Sequence, residues 1–257
     1  MPIKVGHIPD LNYEPFYFDM ERRGIQLHQL ASGALGPAAE NGEIDGGPVP
    51  LADCLRLEDR FKYVSGFCVA AWEKSDSMFL HSRVPIADLE GARIGIPIGS
   101  DTSAGLLRAL LAFKHQVRPQ AYVTQENVTP EDTNDALLLE GDQGLRRRRG
   151  VRGYPYKYDL AEEWNEWTGL PFVFARWMVR RDMEATEAAL LENTLYVGLE
   201  EGVDTLFHLS EPRASLLMLA KDVVDYIQGY RYFMGLSEHK SVELYRKYQV
   251  QLSTINP

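Results

Sequence analysis

The sequence predicts a mixed α/β fold, with strands and helices alternating around a largely parallel sheet. Two observations carry that prediction. Short apolar runs rich in β-branched and aromatic residues recur through the first two thirds of the chain. Between them lie stretches whose apolar residues return at helical spacing, the pattern of a sheet covered by helices. A third observation concerns the remainder: from Met183 onward the pattern reads as helices only.

Taken in order, Ile3–Ile8, Ile25–Leu30, Phe61–Ala70 and Ser77–Ser82 read as strands. Ala92–Pro97, Gln120–Thr124, Ala136–Leu139 and Phe172–Val179 follow. Thr102–Lys114 is the clearest helix, because Leu106, Leu107, Leu110 and Phe113 share one face. Ser100 or Thr102 is placed to cap it. Another helix starts at Tyr158-Asp159-Leu160 and ends at Gly169-Leu170-Pro171, a glycine–proline stop. Its Trp164 and Trp167 are expected in the core. Glu184–Leu199, Pro212–Ile227 and Glu238–Leu252 complete the set of helices.

Arg83-Val84-Pro85 is a stiff connector, and Ala92 opens a fresh strand–helix–strand series. The expectation is therefore an inserted α/β lobe over residues 83–174, with residues 1–82 and 175–257 forming the other lobe. Two chain crossings would make a hinge, with a ligand cleft between the lobes.

Composition narrows the function. The 257 residues carry a formal net charge of -10, which argues against nucleic acid or an anionic membrane as partner. No apolar run reaches the roughly 20 residues needed to span a bilayer. The N-terminus enters a strand-like pattern without an apolar signal core, so a cytoplasmic location is expected. Cys54 and Cys68 lie in apolar segments and are expected to be buried, inert thiols. The six histidines are scattered without ligand spacing, so no metal is expected, and with no dinucleotide-binding glycine pattern no cofactor is expected either. His7, in the first strand, is the histidine singled out for a functional role.

The run Ile98-Gly99-Ser100-Asp101-Thr102-Ser103 lies between a strand and a helix. Free backbone N–H groups, the helix dipole and three hydroxyls suit a carboxylate or phosphate there; ordinary helix capping is the other reading. Asn12 follows the first strand, where loops of a parallel lobe line a ligand crevice, or else it is a turn asparagine. Gly46-Gly47-Pro48-Val49-Pro50 lets something approach its backbone closely, or is a loop. Asp142, after Ala136–Leu139, caps the next helix or faces the cleft. Arg146–Arg149 reads as a solvated face.

Val5-Gly6-His7-Ile8 with Leu11-Asn12 and Pro15, Gly42-Glu43-Ile44-Asp45 with Gly47-Pro48-Val49, Ser77, Ser100 with Thr102-Ser103, and Gly141-Asp142 occur in one order along the chain. They are followed by the more specific Trp167-Thr168-Gly169-Leu170-Pro171-Phe172-Val173-Phe174-Ala175. In this the chain resembles the chorismate dehydratases of the futalosine route to menaquinone, and their relatives. The resemblance implies a two-lobed fold similar to type 2 periplasmic binding proteins. It implies elimination of water from chorismate to give 3-[(1-carboxyvinyl)oxy]benzoate, without a cofactor and on a small carboxylate substrate. It implies a functional role for Asn12, with Gly47, Pro48, Ser77, Ser100, Thr102, Ser103 and Asp142 binding substrate. Oligomeric state is not implied.

Four departures from the family pattern are visible. Asp101 stands where a basic residue is usual, Glu14 where neutral or basic residues are common, and Glu140 where an aliphatic residue is usual. Trp72-Glu73-Lys74-Ser75-Asp76 lacks the family's Gly-Pro-Val before the serine. Added acid near an anion site repels a dianion. The alternatives are a related enzyme on another small acid, such as cyclic dehypoxanthine futalosine, and a non-catalytic small-carboxylate binder of the same fold.

Overall fold

The computed structural model describes residues 2–130, 133–204 and 214–255. Its contacts divide the chain into two units, Met1–Ala70 with Val173–Leu236 and Ala71–Phe172 with Ser237–Pro257.

The first unit is built on a six-stranded sheet. Its strands are β1 (Lys4–His7), β2 (Gln26–Gln29), β3 (Gly46–Pro50), β4 (Phe61–Ala71), β10 (Phe172–Arg180) and β11 (Tyr230–Phe233), in the order β11-β4-β10-β3-β1-β2. β1 is parallel to β2 and β3, whereas β10 runs antiparallel to β3. Helices α1 (Ser32–Glu40), α2 (Leu51–Leu57), α6 (Ala185–Asp204) and α7 (Ala220–Gln228) also belong to this unit. On one side of the sheet the Phe16 ring meets Trp177, Tyr232 and Phe67 at centroid distances of 5.2, 5.3 and 6.1 Å. These edge-on contacts join the strands to the turn that follows β1.

The second unit carries a five-stranded sheet. Its strands are β5 (Phe79–Ser82), β6 (Arg93–Pro97), β7 (Ala121–Gln125), β8 (Ala136–Leu139) and β9 (Tyr156–Asp159), in the order β7-β6-β8-β5-β9. β6 is parallel to β7 and β8, and β5 is antiparallel to β8 and β9. Its helices are α3 (Asp101–Ala109), α4 (Gly141–Arg146), α5 (Leu160–Thr168) and α8 (Leu236–Ile255). A π turn, Leu110–Lys114, continues α3 to the residue at which the helix was expected to end. Trp164 is fully buried, and its indole N–H donates to Ser241 Oγ at 3.0 Å. Trp164 is thus the core residue expected, whereas Trp167 is only half-buried and stacks on Tyr248 at 4.9 Å.

Several expectations are corrected. The last third is not purely helical: β11 forms an edge strand beside β4, and Met234 N–H donates to Gly66 O at 2.7 Å. The helix expected over Pro212–Ile227 is broken. A 3₁₀ turn, Ala214–Leu216, and a left-handed Leu217 (φ 55°) precede α7, and residues 205–213 lie outside the described part. Tyr156–Asp159 is a strand before it is a helix start, because it pairs along β5. The segment Gly46–Pro50 is a buried strand rather than a loop. Its prolines lack N–H donors, which is tolerable where the ladder to β1 has the single bridging pair Val5–Gly46.

The division of the chain also differs from the expected one. β5 was placed with the first lobe and the C-terminal helix likewise. β5 instead lies between β8 and β9, and α8 packs on α3 through Tyr245, whose hydroxyl donates to Thr102 O at 3.1 Å. Three chain crossings result, where two were expected.

Candidate functional site

In the first unit, Asn12 sits on a 3₁₀ turn, Leu11–Tyr17, directly after β1, and is 6% exposed. The turn is held from two sides. Ile8 N–H donates to Tyr17 Oη at 2.9 Å, tying the turn to the end of β1. Gly198 and Gly202, one helical turn apart on α6, leave room for the backbone of Pro15 and Phe16. A methyl group on either glycine would lie 3.0 Å from a carbonyl oxygen. Small residues on α6 thus let the Asn12 turn approach the helix axis.

Gly47 and Pro48 lie inside β3, not in a flexible segment. A methyl group on Gly47 would stand 3.1 Å from Gly6 O, so the backbone that approaches Gly47 is that of β1. His7, half-buried at the end of β1, lies edge-on to Tyr17 at 4.2 Å. Burial lowers its pKa, against the opposing charges of Glu14 and Glu21. Both cysteines are buried thiols, and burial raises the Cys54 thiol to about 12, leaving it inert.

In the second unit, Ser77, Ser100, Thr102, Ser103 and Asp142 gather at one end of the sheet. β6 and β8 are parallel neighbours, so α3 and α4 both start from their carboxyl ends. β5 is antiparallel, so its beginning, just past Ser77, lies at that same end: Phe79 pairs with both Leu139 and Asp159. Ligand crevices of α/β sheets lie at such ends. Gly99 (φ 78°) and Gly141 (φ 55°) make the left-handed turns that feed the two helices.

The hydroxyls here are not doing what simple capping predicts. Ser100 holds the N-cap position of α3 but makes no capping bond, and its 4%-exposed hydroxyl meets no hydrogen-bond partner among the described residues. Ser103 Oγ instead donates to the carboxylate of Glu140, the residue before α4. Burial raises the Glu140 pKa; the nearby Ser100 and Ser103 hydroxyls oppose the rise, and the charge of Asp101 adds to it. Asp142 lies in the first turn of α4, whose N-cap position is held by Glu140. Asp101 is exposed.

Two further residues, neither expected as a site residue from the sequence, fix Ser77. Asp159, at the end of β9, accepts from Ser75 N, Ser75 Oγ and Asp76 N. Gly144, on α4, lies against Ser77: a methyl group there would stand 1.9 Å from Ser77 O. Gly144→Ala is therefore expected to cost about 1–3 kcal/mol and to displace Ser77. Urea unfolding of the variant measures the first effect, and a crystal structure the second.

No group of three or more His, Cys, Asp or Glu side chains among the described residues is arranged to hold a metal ion. No helix among them is long and apolar enough to cross a membrane.

Comparison with known proteins agrees with this architecture. The chain is 24% identical over 238 residues to a chorismate dehydratase of Thermus thermophilus, covering 87% of this chain and 86% of that protein. An Archaeoglobus fulgidus protein of known structure superposes with a TM-score of 0.72 at 18% identity, covering 98% of each chain. The periplasmic aliphatic sulphonate binding protein of Escherichia coli superposes with a TM-score of 0.61 at 12% identity, covering 97% of this chain and 88% of that one. The structural likenesses show the fold, which is that of periplasmic binding proteins. The model of the menaquinone biosynthesis family matches residues 3–251, and the chain belongs to that family.

Proposed function

We propose that the protein is a cytoplasmic lyase of the futalosine route, eliminating water from chorismate to give 3-[(1-carboxyvinyl)oxy]benzoate. The observation that carries this reading is its 24% identity to a chorismate dehydratase along most of both chains, within a menaquinone-biosynthesis family. The hydroxyls collected at the start of α3 support it, since donors at a helix N-terminus suit a carboxylate.

The reaction removes the C4 hydroxyl and the C3 proton of the ring, and aromatisation drives it. Asn12 carries an amide, which is not a base at neutral pH. In this reading Asn12 orients the substrate, and a carboxylate of the substrate takes the proton. Ser77, Ser100, Thr102 and Ser103 hold a substrate carboxylate, with Gly47, Pro48 and Asp142 as further contacts.

Incubation of the purified protein with chorismate, followed by chromatography, is expected to yield the aromatic product. Asn12→Ala is expected to lower turnover by about 100-fold while leaving the thermal midpoint within a few degrees of wild type. An Asn12→Ala variant with wild-type turnover sinks the role given to Asn12. A second reading, a small-acid binder without turnover, is favoured by the carboxylate of Glu140 on Ser103. It predicts thermal stabilisation by a small carboxylate and no product.

A further inference from the structure

The donors at the start of α3 already hold an anion, and that anion belongs to the chain. Ser103 Oγ donates to the Glu140 carboxylate, across 37 residues of sequence. Beside it the Ser100 hydroxyl is buried and faces the same carboxylate without a well-formed hydrogen bond among the described residues. Glu140 reaches this place from a fixed base. It follows the buried strand β8 with an extended backbone (φ -139°, ψ 171°), and the left-handed Gly141 follows it. Only its side chain is free to move away.

We propose that Glu140 is the resident occupant of this anion site and determines its specificity: a ligand carboxylate binds the Ser100–Ser103 cluster only by displacing the Glu140 side chain. This rests on the reading above that the ligand is a small carboxylate. A serine hydroxyl has one proton, so Ser103 donates to one carboxylate at a time. A second carboxylate placed beside Glu140 also meets like charge in a partly desolvated setting, with Asp101 adjoining Ser100. The cluster therefore discriminates against anions and accepts a ligand group that leaves Glu140 in place, such as a hydroxyl. A carboxylate ligand that does bind there has spent part of its interaction energy on expelling Glu140.

The test measures benzoate binding to the full chain by calorimetry. Glu140→Gln removes the charge and keeps the shape, so its Kd for benzoate is expected to fall by about tenfold. Adding Ser103→Ala to that variant is expected to abolish the gain. Glu140→Leu is read in the same way should the glutamine variant fail to fold. Equal affinities in wild type and the Glu140 variants, a gain that survives Ser103→Ala, or no benzoate binding to any of them overturns the proposal. Chorismate turnover decides the functional reading separately. Turnover by the wild type with no gain in the variants keeps that reading and removes this proposal. A gain without turnover keeps the proposal and removes the dehydratase reading.

Discussion

Asp159→Ala is expected to lower the free energy of unfolding by roughly 3–5 kcal/mol, because it deletes one carboxylate on which two structures converge. The side chain is 5% exposed. It accepts from Ser75 N at 2.9 Å, Ser75 Oγ at 3.0 Å and Asp76 N at 2.7 Å, and from Ala161 N at 3.0 Å at the start of α5. Truncation leaves these buried donors without an acceptor, and each loses its partner without regaining water. It also removes the N-cap of α5, worth about 1 kcal/mol on its own. Asp159→Asn retains one acceptor oxygen but turns an NH₂ group toward donors, so it is expected to fall between wild type and alanine. Urea unfolding checks both; a loss below about 1 kcal/mol for the alanine variant contradicts the argument. The functional consequence follows from the same bonds. Ser75 Oγ accepts from Met78 N at 2.9 Å, so the turn that presents Ser77 depends on Asp159. Any ligand affinity contributed by Ser77 should fall together with stability in this variant.

How far the sequence shows this depends on the distance over which each feature is encoded. β8, a run of apolar residues bounded by polar ones, and the amphipathic α3 are local patterns, and both lie where the sequence places them. The ordered segments that end in the run from Trp167 to Ala175 pointed to the family, since each is a local string of residues. The assignment of β5 to the first lobe followed from the neighbouring Arg83-Val84-Pro85 connector, but its partners are Ala136–Leu139 and Tyr156–Asp159, far along the chain. Pairing at that range leaves no periodic trace. β3 was hidden by composition: Gly46-Gly47-Pro48-Val49-Pro50 consists mostly of strand breakers, tolerated because close backbone neighbours favour glycine there. The site shows the same division. Ser100, Thr102 and Ser103 were legible as a hydroxyl-rich helix start. Glu140 was visible as an unusual acid, but that it reaches Ser103 is a fact of three dimensions. Asp159 was legible as part of a helix start, and it is the N-cap of α5; its hold on the Ser75–Ser77 turn, more than 80 residues upstream, was not readable.

His81 is expected to make the second unit acid-sensitive below the ordinary histidine range. It lies in the middle of β5, paired with Leu137 and Lys157, and is fully buried. Leu137 belongs to a buried cluster with Val128, Leu139, Val151 and Tyr154, and neither ring nitrogen of His81 has a hydrogen-bond partner among the described residues. Burial lowers its pKa to about 4, and the charges of Lys157 and Arg147 push the same way. The unfolded chain holds its histidine near 6.5, so below that pH the unfolded state binds the proton and the folded state resists it. The stability that neutral His81 permits is complete above pH 6.5 and is lost as pH falls from 6.5 toward 4. Between pH 7.5 and 5 the loss amounts to about 2 kcal/mol, rising to roughly 3 kcal/mol near pH 4. His81→Leu removes this contribution and also the two unpartnered nitrogens, so it is expected to be at least as stable as wild type at pH 7.5. Urea unfolding of both proteins across this range isolates the histidine, since carboxylates common to both cancel in the comparison. Parallel stability curves contradict the assignment. Because β5 lies between β8 and β9, which lead into Glu140 and Asp159, the protonation is felt where the candidate site is built. A loss of ligand affinity at pH 5 that His81→Leu restores would therefore report strain from the buried imidazolium, whereas a loss shared by both proteins would report the ligand or the site carboxylates themselves.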